Sequence, residues 1–153
     1  MNRLIRLACP IVVVLCVSIQ ALGETKSGKC TLREAGAFDD EKHVVVKVGE
    51  KVKGTCSFYI DEFFGKKIVN ANIKIENTTD NAMFCEYHVA FFDKNGNLVG
   101  CASQGTMGDD GLGAGKETLL GSCLITVPKD KLKRIASYKV TFYESDTPIG
   151  KME

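Results

Sequence analysis

The sequence predicts an all-β protein folded as a single antiparallel β-sandwich of about seven strands with one short helical turn. Three observations carry that expectation. Val69, Ala71, Ile73 and Ile75 alternate with Asn70, Asn72, Lys74 and Glu76, as a half-buried strand demands, because successive side chains point to opposite faces. Short apolar runs recur between turn residues along most of the chain. No long segment shows a helical period.

The first 23 residues read as a secretory signal peptide. Arg3 and Arg6 form a basic start, Leu7 to Leu22 is an apolar run interrupted by Ser18 and Gln20, and Ala21-Leu22-Gly23 is a small-x-small cleavage site. The run is shorter than the roughly 20 residues a bilayer span needs, which favours cleavage over a membrane anchor. Cys9 and Cys16 lack the setting of a lipid-modified cysteine: Cys9 follows Leu7-Ala8 with no apolar run before it, and Cys16 follows bulky Leu15.

Of 153 residues, removal of 23 leaves 130, enough for one domain with a sizeable core. The expected organisation is a loosely structured N-terminal segment over 24–41 and a β-sandwich domain over 42–148. The 20 basic side chains less Arg3 and Arg6 leave 18 against 19 acidic ones. That balance argues against nucleic acid or an anionic membrane surface as the main partner.

The strand-like runs are His43–Val48, Val52–Ile60, Ile68–Glu76, Met83–Phe92, Leu98–Ser103, Thr118–Thr126 and Ser137–Tyr143. Asn95-Gly96 supplies a hairpin turn between the fourth and fifth, since Gly takes the positive φ such turns require. Tyr87, Val89 and Phe91 join Val69, Ala71, Ile73 and Ile75 in the expected core, with Tyr138, Val140 and Phe142 near the C-terminus. Pro128 to Ile135 is the one expected helical turn, with Pro at its start and Leu132 and Ile135 three apart on one face.

The order of pieces resembles a known family. An alternating strand (VNANIKIEN) is followed by a strand ending in Phe91-Phe92-Asp93, a turn with Gly, a Leu-Val continuation, a Gly-rich loop before Gly115-Lys116-Glu117, and a last Y-x-V-x-F-Y strand. Over roughly residues 66–145 this resembles the FxLYD-like domains, small immunoglobulin-like β-sandwiches found in exported bacterial proteins. Ala114 departs from the pattern, standing where Pro is usual. The resemblance implies an immunoglobulin-like sandwich, a place in the bacterial envelope or outside the cell, and a non-catalytic accessory or interaction role.

Five cysteines remain after signal removal: Cys30, Cys56, Cys85, Cys101 and Cys123. In an oxidising compartment disulfides are the default, and an odd count leaves at least one thiol free or paired outside the chain. Cys101–Cys123 is the leading bridge, on the assumption that Leu98–Ser103 and Thr118–Thr126 lie side by side. Cys56–Cys85 or Cys30–Cys56 is the second. The rival is that Cys56 and Cys85 are buried free thiols acting as small hydrophobes.

Candidate chemistry is sparse. Asp93, Asn95 and Asn97 imitate the start of a calcium loop, but Leu98 and Gln104 stand where Gly and Glu are needed, so Asp93 is expected to bond its own turn. Gly111, Gly113 and Gly115 before Lys116 fail the phosphate-loop spacing and precede a strand. Met83, Cys85 and His88 are the residues a metal or thiol-redox protein would use, yet strand alternation sends Cys85 and His88 to opposite faces. With two histidines, His43 and His88, and no assembled acid pair, the chain is expected not to be an enzyme and to need no cofactor or metal.

Three surface features remain. Lys129, Lys131, Lys133 and Arg134 read as the wet side of the helical turn. Asn77-Thr78-Thr79 fits the N-glycosylation pattern and reads as turn chemistry in a bacterial protein. Asp61-Glu62-Phe63-Phe64-Gly65 reads as a loop whose adjacent aromatics do not both bury easily. Phe63 or Phe64 either caps the sandwich, the favoured reading, or presents an apolar contact to a partner, expected to be another envelope or extracellular protein.

Overall fold

A computed structural model describes residues 22–36, 39–106, 110–125 and 127–149. The signal-peptide reading falls almost wholly on residues 1–21, outside the described residues. The chain forms eight strands: β1 (Leu22–Lys29), β2 (Val44–Val48), β3 (Val52–Phe63), β4 (Lys66–Asn77), β5 (Phe84–Asp93), β6 (Leu98–Gly105), β7 (Glu117–Ile125) and β8 (Ile135–Ser145). They form two four-stranded antiparallel sheets, ordered β1-β8-β5-β6 and β2-β3-β4-β7. The architecture is the sandwich that the alternation foretells, with eight strands instead of seven. Two short helical turns accompany the strands among the described residues: a 3-10 turn at Asp40–Lys42, and α1 (Lys129–Leu132), which follows Pro128 and buries Leu132 against the core, with Ile135 buried at the start of β8.

The core lies between the inner faces of the sheets. Val69, Ala71, Ile73 and Ile75 of β4 oppose Tyr87, Val89 and Phe91 of β5 and Val140 and Phe142 of β8, all almost completely buried. Phe58 meets Phe91 edge to face at 5.3 Å, a geometry favoured by ring quadrupoles. The Tyr87 hydroxyl crosses the core to donate to the carbonyl of Ala71 in the other sheet.

The segment expected to be loose over 24–41 instead contributes β1, which pairs with β8 from Leu22↔Glu144 to Lys29↔Ser137. The sequence LGETKSGK shows no apolar alternation because an edge strand is held by its ladder rather than by buried side chains. Its two glycines face tyrosines: a Cβ on Gly23 would lie 2.7 Å from the Tyr143 ring, and one on Gly28 2.8 Å from the Tyr138 hydroxyl. Beyond β1, residues 33–35 continue as backbone bonded to β3. Ile60 N–H donates to the Arg33 carbonyl at 2.8 Å, and Ala35 N–H to the Ile60 carbonyl at 3.0 Å.

The two sheets are tied at one end by carboxylates. Glu144 of β8, nearly buried, accepts from the backbone N–H of Val52 at 2.8 Å and of Lys51 at 3.1 Å. Glu24 of β1 accepts from Gly49 N–H at 2.7 Å, and that bond holds its carboxyl below the usual range. The β2–β3 turn therefore has its orphan amides satisfied from the opposite sheet.

Candidate contact surface at the β3–β4 tip

Asp61, Glu62 and Phe63, expected in a loop, belong to β3. The strand runs on because each pairs across the hairpin, Asp61↔Ile68, Glu62↔Lys67 and Phe63↔Lys66, leaving Phe64-Gly65 as the whole turn. The ribbon outreaches strands β2 and β7, while the segment around Glu34 runs beside it at Ile60. Strand β2 pairs with β3 only from Gly54 to Phe58, and β7 pairs with β4 only from Val69 to Glu76.

Neither aromatic caps the core. Phe63 is 50 % exposed and Phe64 89 %, since the turn projects past the end of the sandwich where no inner face remains to receive them. The two rings meet edge to face at 4.5 Å between centroids. The backbone φ is +49° at Phe64 and +71° at Gly65, the sign pattern of a type I′ turn, which favours Asn or Gly at both positions. Phe64 is the only residue other than glycine with positive φ among the described residues. That conformation costs an L-residue about 1–2 kcal/mol.

Beside the ribbon lies an open, charged cleft of about 360 Å³. Glu34, Asp39, Asp61 and Glu62 line it, with Lys42 and Lys67. Lys42 is ion-paired to Asp39 and Lys67 to Glu34, so four carboxylates face two ammonium groups already engaged. Lys66, paired with Phe63, shares the face of the ribbon that carries Phe63 and Asp61, while Glu62 and Lys67 share the other. Behind the cleft, the His43 ring stacks on Tyr59 at 4.1 Å and its Nε2 lies 3.1 Å from the Gly36 carbonyl. Tyr59 accepts from the amides of Asn70 and Asn72 at 2.9 and 3.3 Å, and burial raises its pKa.

The other sequence candidates are dispersed. Met83 and Cys85 point into the core, whereas His88 stands on the outer face beside Glu86, its Nε2 3.2 Å from that carboxylate. The structure does not bring Met83, Cys85 and His88 together. Cys30, Cys56, Cys85 and Cys101 carry free thiols. Burial pushes the Cys56 and Cys85 thiols up to about 12 and Cys30 to about 11, so these groups are poor nucleophiles at neutral pH, while Cys101 is exposed.

The neighbour-strand premise for Cys101–Cys123 does not hold. Cys101 pairs with Ala90 in one sheet and Cys123 with Ala71 in the other. The chain between β6 and β7 crosses from sheet to sheet instead of turning back as a hairpin. The side chain of Cys123 lies outside the described residues.

Asp93 closes its own turn. Its Oδ1 accepts from the N–H of Asn95 and Asn97 at 2.8 and 2.9 Å and its Oδ2 from the Asn97 amide at 3.0 Å. The Asn97 side-chain bond, then its backbone bond, lower the Asp93 pKa. The glycine-rich segment is pinned by the bridge between Met83 and Leu112 and leads into β7.

Asn77 is fully buried, donating to the carbonyls of Asn81, Leu112 and Gly113 and accepting from Thr79. Its amide is therefore unavailable to a glycosylating enzyme in the folded protein. Lys131, Lys133 and Arg134 are exposed, with Arg134 3.8 Å from Asp130. Among the described residues no group of three or more His, Cys, Asp or Glu is placed to hold a metal ion, and no helix is long and apolar enough to cross a membrane.

Comparison with known proteins adds no identity. No protein-family model matches the chain. No curated protein matches it. Similar solved structures include one of the Gx strain of infectious bursal disease virus, at TM-score 0.36 and 10 % identity over 84 % of this chain and 25 % of that one. Another is a mutant VP2 protein of the same virus from derived T=1 particles, at TM-score 0.37 and 14 % identity over 86 % and 26 %. The chain spans about a quarter of the length of either.

Proposed function

We propose that this chain is an exported, non-catalytic β-sandwich module that acts by binding another envelope or extracellular protein, and that the β3–β4 tip makes the contact. The observation that carries this reading is Phe64, a large apolar side chain held at positive φ and 89 % exposed. In the free protein its conformation costs about 1–2 kcal/mol and its ring gains no burial. Covering it on a partner returns about 1.5–3 kcal/mol, and large aromatics are the residues that dominate protein interfaces. Export rests on the basic and apolar N-terminus. Kinship with the FxLYD-like domains rests on Phe91-Phe92-Asp93 and the self-closed turn that follows.

Free-thiol titration and metal analysis of the purified mature protein test the class. A module predicts no stoichiometric copper or zinc, and a fast-reacting thiol at Cys101 with Cys56 and Cys85 silent until unfolding. Bound copper or zinc together with rapid reaction at Cys85 would replace this reading with a thiol-redox or metal-handling one.

A further inference from the structure

Resting on that reading, we infer that the partner is a protein presenting an apolar pocket for the Phe64 ring, bordered by Lys or Arg side chains that enter the acidic cleft beside the ribbon. The ribbon projects beyond β2 and β7, so its tip reaches into a concavity. A flat contact would engage the exposed faces of the sheets first. The two-residue turn has positive φ at both central residues and leaves the Phe64 ring 89 % exposed.

Charge selects the class of surface. The cleft holds Glu34, Asp39, Asp61 and Glu62 against Lys42 and Lys67, which Asp39 and Glu34 already engage. The cleft's surplus of two carboxylates, beside the same ribbon that carries the ring, repels anionic lipid headgroups and nucleic-acid phosphates. The same surplus attracts cationic side chains, which also gain by bidentate pairing when the cation is Arg. Phe63 packs edge to face against the Phe64 ring, and Lys66 pairs with Phe63 on the same face of the ribbon.

The test uses the mature protein carrying a photo-crosslinking phenylalanine analogue at position 64, irradiated in envelope and medium fractions of the organism that makes it. The captured protein is then purified and titrated with defined variants. The expected result is one discrete protein adduct. Its affinity should fall at least tenfold with Phe64→Asn, which suits the turn and keeps the fold. It should fall a further severalfold with Asp61→Asn and Glu62→Gln, and weaken with rising salt. Sedimentation with phosphatidylcholine vesicles and with phosphatidylcholine–phosphatidylglycerol vesicles should leave the protein in solution.

Retention on either vesicle, or an adduct that Phe64→Asn competes for as well as the wild type, overturns the inference. Crosslinkers at exposed Val45 and Leu119, one on each edge strand of the β2-β3-β4-β7 sheet, separate the two claims. A partner captured there and not at position 64 leaves the binding module standing and removes the knob. Capture at none of the three removes both.

Discussion

The two hairpin tips of this protein solve the same geometric problem in opposite ways. The β5–β6 turn, built from Asp93 to Asn97, spends its polar groups on itself. One carboxylate accepts three hydrogen bonds, and Gly96 takes the positive φ of +83°. The β3–β4 turn has Phe64 where the backbone favours Asn or Gly. It leaves the Phe64 ring almost fully in water and the Phe63 ring half exposed. The first is optimised for the folded chain alone. The second is locally inconsistent, and such inconsistency concentrates where a protein meets something else. Both turns connect antiparallel strands of one sandwich, so the contrast lies in their side chains and not in the topology.

The largest effect sets a scale for turn closure from outside the pair. Glu144→Ala removes the acceptor for Lys51 and Val52 at the β2–β3 turn and leaves a buried N–H unbonded. Urea unfolding should show a loss of about 2–4 kcal/mol, and a loss under about 1 kcal/mol would mean that water replaces the carboxylate there.

Next comes the self-closed tip. Asp93→Ala should destabilise the domain and raise amide exchange at Asn95 and Asn97. The Asp93 carboxyl is depressed in the folded turn, so its stabilisation is complete above the ordinary carboxylate value of about 4. It is lost as pH falls through the depressed value. Amide shifts of Asn95 and Asn97 should follow that titration while those of Phe64 and Gly65 stay flat. Equal movement at both tips would break the comparison.

The smallest effect has the opposite sign. Phe64→Asn should stabilise the isolated domain by about 1 kcal/mol, because Asn tolerates the left-handed region and the packing lost is the exposed contact with the Phe63 ring. A destabilisation would show that the Phe63–Phe64 contact outweighs the backbone strain.

Much of this was legible in the residues. Period-two alternation located β4, β5 and β8 and their buried faces, because each must exclude water from one side only. The Asp93 turn followed from position counting, which ruled out an ion loop. Strand β1 was not legible, since its ladder with β8 forms from backbone groups that every sequence carries. Its only trace is the pair Gly23 and Gly28 beneath Tyr143 and Tyr138, which needs the register to interpret. The sheet-to-sheet crossing between β6 and β7 was equally hidden. A glycine-rich connection reads the same whether it closes a hairpin or crosses the sandwich, and the Cys101–Cys123 assumption failed there. Residues 61–65 read as a loop in the sequence, whereas 61–63 continue β3 in the structure. Charged Asp61 and Glu62 masked a strand whose pairing comes entirely from β4.

The central claim is that the β3–β4 tip, and not its self-closed counterpart, makes the functional contact. The direct measurement is calorimetric titration of the captured partner with wild type, Phe64→Asn and Asp93→Ala, at a temperature where all three are folded. Phe64→Asn should bind at least tenfold more weakly despite its greater stability, and Asp93→Ala should bind as the wild type does. Wild-type affinity in Phe64→Asn, or a loss confined to Asp93→Ala, would contradict the claim.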